Sequence, residues 1–145
     1  MSNFSVSSPI FLTSVGLVFF NSLSDLGATE ERLQFNGASA VSLASDINVK
    51  FRKVILEKFK NHEISLLLGT DLLARGIDIE NLEVVINFDI PRDREAYTHR
   101  AGRTGRMGNE GSVISLVTHP EDLKKLKKFA KVSELVLKNQ ELHEK

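Results

Sequence analysis

Five short runs rich in Val, Ile, Leu and Phe recur along this chain, at Val15–Phe20, Ala40–Ala44, Ser65–Thr70, Glu83–Asp89 and Gly111–Val117. Their apolar residues follow one another directly instead of alternating with polar ones. That pattern fits strands buried on both faces, as in a parallel sheet. Amphipathic segments lie between the runs. Ser24 predicts the N-cap of a helix reaching about Gln34, and Asn48 that of a helix reaching about Lys60. Segments from Arg94 to about Arg103 and from Pro120 to Lys131 read as two more helices. Strand and helix in turn, with short connections, imply βαβ units in an α/β fold: a mostly parallel open sheet with helices on both faces.

The size of 145 residues suits one domain with a real core. The chain has no cysteine, which removes disulfides and thiolate metal sites and suits a reducing compartment. Nineteen Lys and Arg balance nineteen Asp and Glu, so any surface for a polyanion must be local. Ile10–Phe20 is apolar, yet no Lys or Arg precedes Arg32, and the run is too short to span a bilayer. A buried strand at Val15–Phe20 and a cytoplasmic chain with no membrane partner are the expectation. His62, His119 and His143 lack ligand spacing, and no metal site is expected.

Ligands of open α/β sheets bind beyond the carboxyl ends of the strands, so residues with unusual chemistry should follow strands. They do here. Thr70-Asp71 closes one apolar run, Asn87–Pro91 closes another, and an arginine-rich stretch follows. In GTDLLARGIDI (69–79), a hydroxyl and backbone N–H groups at a strand end suit phosphate oxygens, and Asp78 suits a ribose. Taken alone, that stretch reads better as an ordinary turn with Asp71 as a cap and Gly76 for backbone freedom. In HRAGRTGRMG (99–108), Arg100, Arg103 and Arg106 recur every third residue with no acid between them. Like charges so spaced repel unless something negative faces them. Glycines in place of helix formers, and the planar fork of arginine, favour phosphate over a solvated basic helix.

In order and spacing, TDLLARGIDI (70–79), VINFDIPRD (85–93), YTHRAGRTGRMG (97–108) and GSVISLVTHPEDLKKLKKFA (111–130) resemble the second RecA-like lobe of DEAD-box ATP-dependent RNA helicases. LVFFNS (17–22) resembles the strand before them, and His99-Arg100 favours the RNA branch over DNA translocases. The resemblance implies a RecA-like domain over 15–131, after an atypical segment 1–14 and before a tail 132–145. It implies that Arg103 and Arg106 are arginine fingers on ATP, and that Gly76 and Asp78 serve the nucleotide's ribose. His99 and Arg100 would couple the lobes, while Thr70 and, through a weaker match, Arg52 would hold phosphates of single-stranded RNA. On this reading the charge facing the arginines is ATP, and the chain itself supplies no acid to them.

Three departures qualify the resemblance. Val49 occupies the family's usual glutamine position, three residues before Arg52. MSNFSVSSPIFLTS does not resemble the charged helix expected upstream. Most importantly, neither a G-x-x-x-x-G-K-[ST] loop nor Asp-Glu-Ala-Asp is present. ATP and Mg²⁺ would therefore need a DEAD-box N-terminal lobe, in cis or in trans, and this chain alone is expected not to hydrolyse ATP. The alternative is a stand-alone, non-catalytic RNA-binding or regulatory module. In PEDLKKLKKFAK, Leu123, Leu126, Phe129 and Ala130 predict a helix packed on the sheet with its lysines in solvent, with an RNA-binding helix as the less favoured alternative. Phe19, Phe20 and Phe88 are expected in the core.

Overall fold

A computed structural model describes residues 15–43, 47–76, 79, 82–105 and 111–133, with the backbone alone at 74–76 and 130–133. Its strands are β1 (Gly16–Phe19), β2 (Ala40–Ser42), β3 (Leu66–Gly69), β4 (Val84–Asn87) and β5 (Ser112–Ser115). They form one sheet in the order β2-β3-β1-β4-β5, and every pair is parallel. The helices are α1 (Leu26–Phe35), α2 (Val49–Lys60), α3 (Asp71–Gly76), α4 (Arg94–Ala101) and α5 (Pro120–Ser133). This is the expected α/β architecture.

The unbroken apolar runs are explained by burial on two faces. Along β1, Val18 faces one core with Phe20, Leu66, Leu68 and the α1 residues Leu26 and Leu33. Leu17 and Phe19 face the other core, with Leu67, Val85, Phe59 of α2 and Leu73 of α3. Phe88 stacks on the fully buried Phe20 at 4.6 Å between ring centroids, so all three phenylalanines serve packing. The strand β5 lies at the sheet's edge and is only half-buried, which departs from the uniform burial predicted for Gly111–Val117.

Several helix boundaries differ from expectation for local reasons. Asp25, not Ser24, precedes α1, and it makes no side-chain cap; the Ser24 hydroxyl instead pairs with that of Ser22 at 2.8 Å. Asn48 does cap α2, accepting from the Lys50 amide at 2.8 Å. The short α3 was not predicted as a helix. Six residues give too little periodicity to read. The predicted apolar stripe of α5 meets another helix instead of the sheet: Leu126 and Phe129 pack against Ile90 and Tyr97, with Ala101 beside them. The rings of Tyr97 and Phe129 lie 5.9 Å apart. Among the described residues, no helix is long and apolar enough to cross a membrane.

Two measurements test this packing. At Gly16 a methyl group would overlap the Val84 carbonyl of the neighbouring strand, which cannot withdraw without opening the sheet. Gly16→Ala should therefore cost about 2 kcal/mol or more in urea denaturation. Burial raises the pKa of the Tyr97 phenol, because the phenolate would lose its hydration. Tyr97 is the chain's one tyrosine and there is no tryptophan, so tyrosinate absorbance reports on it directly. It should titrate above the ordinary value of about 10 in the folded chain and return to it in denaturant. The unfolded state ionises first, so stability should fall as the pH rises from about 10 towards the folded-state value.

Candidate functional site

Parallel strands end together, and the ends of β1, β3 and β4 carry Asn21, Thr70-Asp71 and Asn87–Asp89. These polar groups converge on Arg100, in the last turn of α4, which is fully buried. Its Nε donates to Asp71 Oδ1 at 2.7 Å, and Nη2 to Asp71 Oδ2 at 2.9 Å, a two-pronged ion pair. Nη2 also donates to Asn21 Oδ1 at 2.8 Å. Nη1 donates to Asn87 Oδ1 at 3.2 Å and to the Asp89 carbonyl at 2.9 Å. All five guanidinium donors are thus used. The guanidinium also lies over the Phe19 ring, 5.2 Å from its centroid, which adds a cation–π contact.

The acceptors are themselves held in place. Asp89 accepts from the Asn21 amide at 2.9 Å, and the Asn21 side chain donates to the Ile90 carbonyl at 2.9 Å. Asn87 Nδ2 donates to Ser115 Oγ of β5 at 3.0 Å. Asp93 starts α4 by accepting from the Ala96 amide at 2.8 Å, which fixes the helix that delivers Arg100. Burying a charge is tolerable only when its hydrogen bonds are complete. Among the described residues, no buried side-chain polar atom is left without a partner.

This geometry corrects part of the sequence reading. The charge opposite Arg100 is Asp71 of the same chain, and not an external phosphate. Three-residue spacing put Arg100, Arg103 and Arg106 in one class, but α4 ends at Ala101 and the first arginine turns inward. Arg103 lies beyond the helix and is half-buried, with Nη1 reaching the Ile79 carbonyl at 3.4 Å. Its own carbonyl accepts from the Leu82 amide at 3.0 Å, and Thr104 Oγ1 donates to the Leu82 carbonyl. Arg103 is thereby fixed beside the chain that follows Asp78. Asp78 and Arg106 themselves lie outside the described residues.

Next to this hub is an open cleft of about 490 Å³, lined by Asn21, Ser22 and Leu23 after β1, Thr70–Leu72 after β3, and one face of α4 with its approach. Thr70 and the exposed His99 both line it. Arg52, half-buried on α2, is not among the described lining residues. Val49, at the usual glutamine position, is 79% exposed in the first turn of α2 and offers no hydrogen bond there. Sequence reasoning marked Asn87–Pro91 as a chemically unusual strand end but assigned no role to Asn21, Asn87 or Asp89. The available signal was a polar residue at the end of an apolar run: Asn87 ends VVIN and is fully buried.

Residues 13–108 match the model of the helicase conserved C-terminal domain. The chain is 38% identical over 90 residues to the ATP-dependent RNA helicase DeaD of Buchnera aphidicola, covering 62% of this chain and 15% of that relative. It thus spans about one-seventh of that relative's length. Among solved structures it is similar to a DEAD box protein from Methanococcus jannaschii, at 34% identity and a TM-score of 0.75, covering 86% of this chain and 34% of that one. It is also similar to S. cerevisiae Dbp5 bound to RNA and ADP BeF3, at 28% identity and a TM-score of 0.75, covering 85% and 33%.

Replacing Arg100 by Met should destabilise the fold by about 3–5 kcal/mol in urea denaturation, because it strands acceptors from three strand ends. Asp71→Asn should cost less, about 1–3 kcal/mol: the amide can accept at only one of the two bonded positions and removes the counter-charge of Arg100, but that side chain is 37% exposed and water can compensate in part. A loss below about 1 kcal/mol for Arg100→Met would show that the hub carries little of the stability.

Proposed function

This chain belongs to the helicase conserved C-terminal domain family, as a C-terminal lobe of the DEAD-box RNA helicase type, and from that premise we propose that it acts as one half of an ATP-dependent RNA helicase. In this reading, ATP sits between this lobe and a DEAD-box N-terminal lobe. The second lobe supplies the phosphate loop and the carboxylates that hold Mg²⁺. Arg103 and Arg106 reach the γ-phosphate from this side, and Gly76 and Asp78 meet the ribose. Thr70 holds phosphates of a single RNA strand, with Arg52 as a further contact, and His99 faces the lobe interface. Contacts to phosphate, not base edges, make the binding independent of sequence.

The donor set suits a polyphosphate. An arginine fork binds two phosphate oxygens at once and stabilises charge that develops during phosphoryl transfer. Bound ATP would supply the scissile phosphoanhydride, and the residues of this chain would orient it and offset its charge. The observation that most supports the reading is the Arg100 hub. Thr70 is bonded to Asp71, the hub's acid, and Arg103 stands three residues after the hub's base. One rigid joint thus lies between the proposed RNA contact and the proposed ATP contact. Arg100, with every donor committed, would serve interlobe coupling from within, by holding its neighbours and not by touching the other lobe.

The test is RNA-stimulated ATP hydrolysis by this chain mixed with a separately prepared DEAD-box N-terminal lobe. Stimulation should require both lobes and should fall by about 10³-fold in Arg103→Ala. If the folded chain gives no stimulation in the mixture, the catalytic reading fails. RNA binding without ATP would then favour the stand-alone module.

A further inference from the structure

We infer that the lysine face of α5 is a second surface for RNA, one that binds the phosphate backbone where the strand continues past the cleft; this rests on the RNA-binding reading above. Lys124, Lys125, Lys127 and Lys128 are all exposed, whereas Leu126 and Phe129 are buried against Ile90 and Tyr97. The buried side fixes the helix and turns the four ammonium groups together into solvent. The acids of α5 are confined to its first turn, at Glu121 and Asp122, where they complement the helix dipole. Among the described residues, no ion pair neutralises any of the four lysines. In a chain with no net charge, this is a concentrated local excess.

Its position gives the patch a role. β5 delivers the chain to the end of the sheet where the cleft lies, and α5 starts there. Glu95, Ala96 and His99 of α4 line the cleft, while Tyr97 and Ala101 meet α5. By helical spacing these are opposite faces of α4, so the patch stands one helix beyond the cleft. The cleft alone is a poor attractor for phosphate. It carries Asp71, Asp93 and Glu95 against Arg92 and His99, and Asp71 is already paired with Arg100. Long-range attraction for a polyanion must therefore come from neighbouring surface. Among the described residues, the lysine face has no exposed aromatic or apolar anchor among its charges, and protein interfaces usually depend on such anchors. A row of bare ammonium groups fits a uniform chain of phosphates better than an acidic protein.

The test uses the whole chain, a fluorescein-labelled oligo(U) strand of about 20 nucleotides, and anisotropy titrations from about 50 to 200 mM salt. Lys124→Gln/Lys128→Gln keeps helix propensity and removes two charges. The slope of log affinity against log salt should fall by about 1.4, since each single-strand phosphate contact contributes about 0.7. Lys58→Gln/Lys60→Gln removes the same charge from the last turn of α2, at the opposite end of the sheet, and should leave the slope unchanged. An unchanged slope in the α5 variant, with binding still weakened by Thr70→Val, overturns the inference and leaves the RNA reading intact. Absence of RNA binding by the parent chain at low salt overturns both. A slope unaffected by the α5 change, alongside polyglutamate binding that depends on Lys124 and Lys128, would assign the face to an acidic protein instead and overturn the inference. Circular dichroism melting of each variant verifies that it is folded.

Discussion

A single buried guanidinium determines how the working end of this molecule is assembled. Arg100 has no contact with water, so each of its donors must find an acceptor within the protein. The acceptors it finds lie at the ends of three separate strands: Asn21 after β1, Asp71 after β3, and Asn87 with Asp89 at β4. These strands are neighbours in space and far apart in sequence. Arg100 and Asn21 are 79 residues apart, and Arg100 and Asp71 are 29 apart. A hub of this kind can form only after the sheet has aligned its strand ends, and it then locks the loops that follow them.

That lock is a better account of the site than charge alone. A stretch with three arginines suggests three equivalent anion ligands, yet side-chain direction along α4 divides them. Arg100 falls on the inner side of the helix and is consumed by structure. Arg103 follows the helix end, where Gly102 and the bond from the Leu82 amide to the Arg103 carbonyl turn the chain back towards β4. Arg100 joins the strand ends, whereas Arg103 is tied through its backbone to Leu82.

The outer surface follows a simpler rule. The anchor of α5 is apolar contact with α4, and its lysines are what remains after that face is buried. Their placement beside the cleft comes from topology, because a parallel strand at the sheet's edge returns its following helix to the end where ligands bind. Local excess charge on a neutral chain is therefore positioned by connectivity, without any motif of its own.

The sequence by itself determined the α/β class, the parallel sheet and the stretches that hold the chemistry. Each depends on local pattern: short unbroken apolar runs such as LLL and VVI, separated by amphipathic segments, fit strands buried on both sides, and HRAGRTGR is a contiguous signature. Asn48 was similarly read from local pattern as a cap. Only the tertiary structure decided that Asp71 answers Arg100, that Asn21, Asn87 and Asp89 complete its shell, and that α5 rests on α4 and not on the sheet. Those facts depend on which residues meet across three strands and on which way each side chain turns. Neither is encoded in neighbouring residues, because contact between distant segments exists only once the sheet has closed.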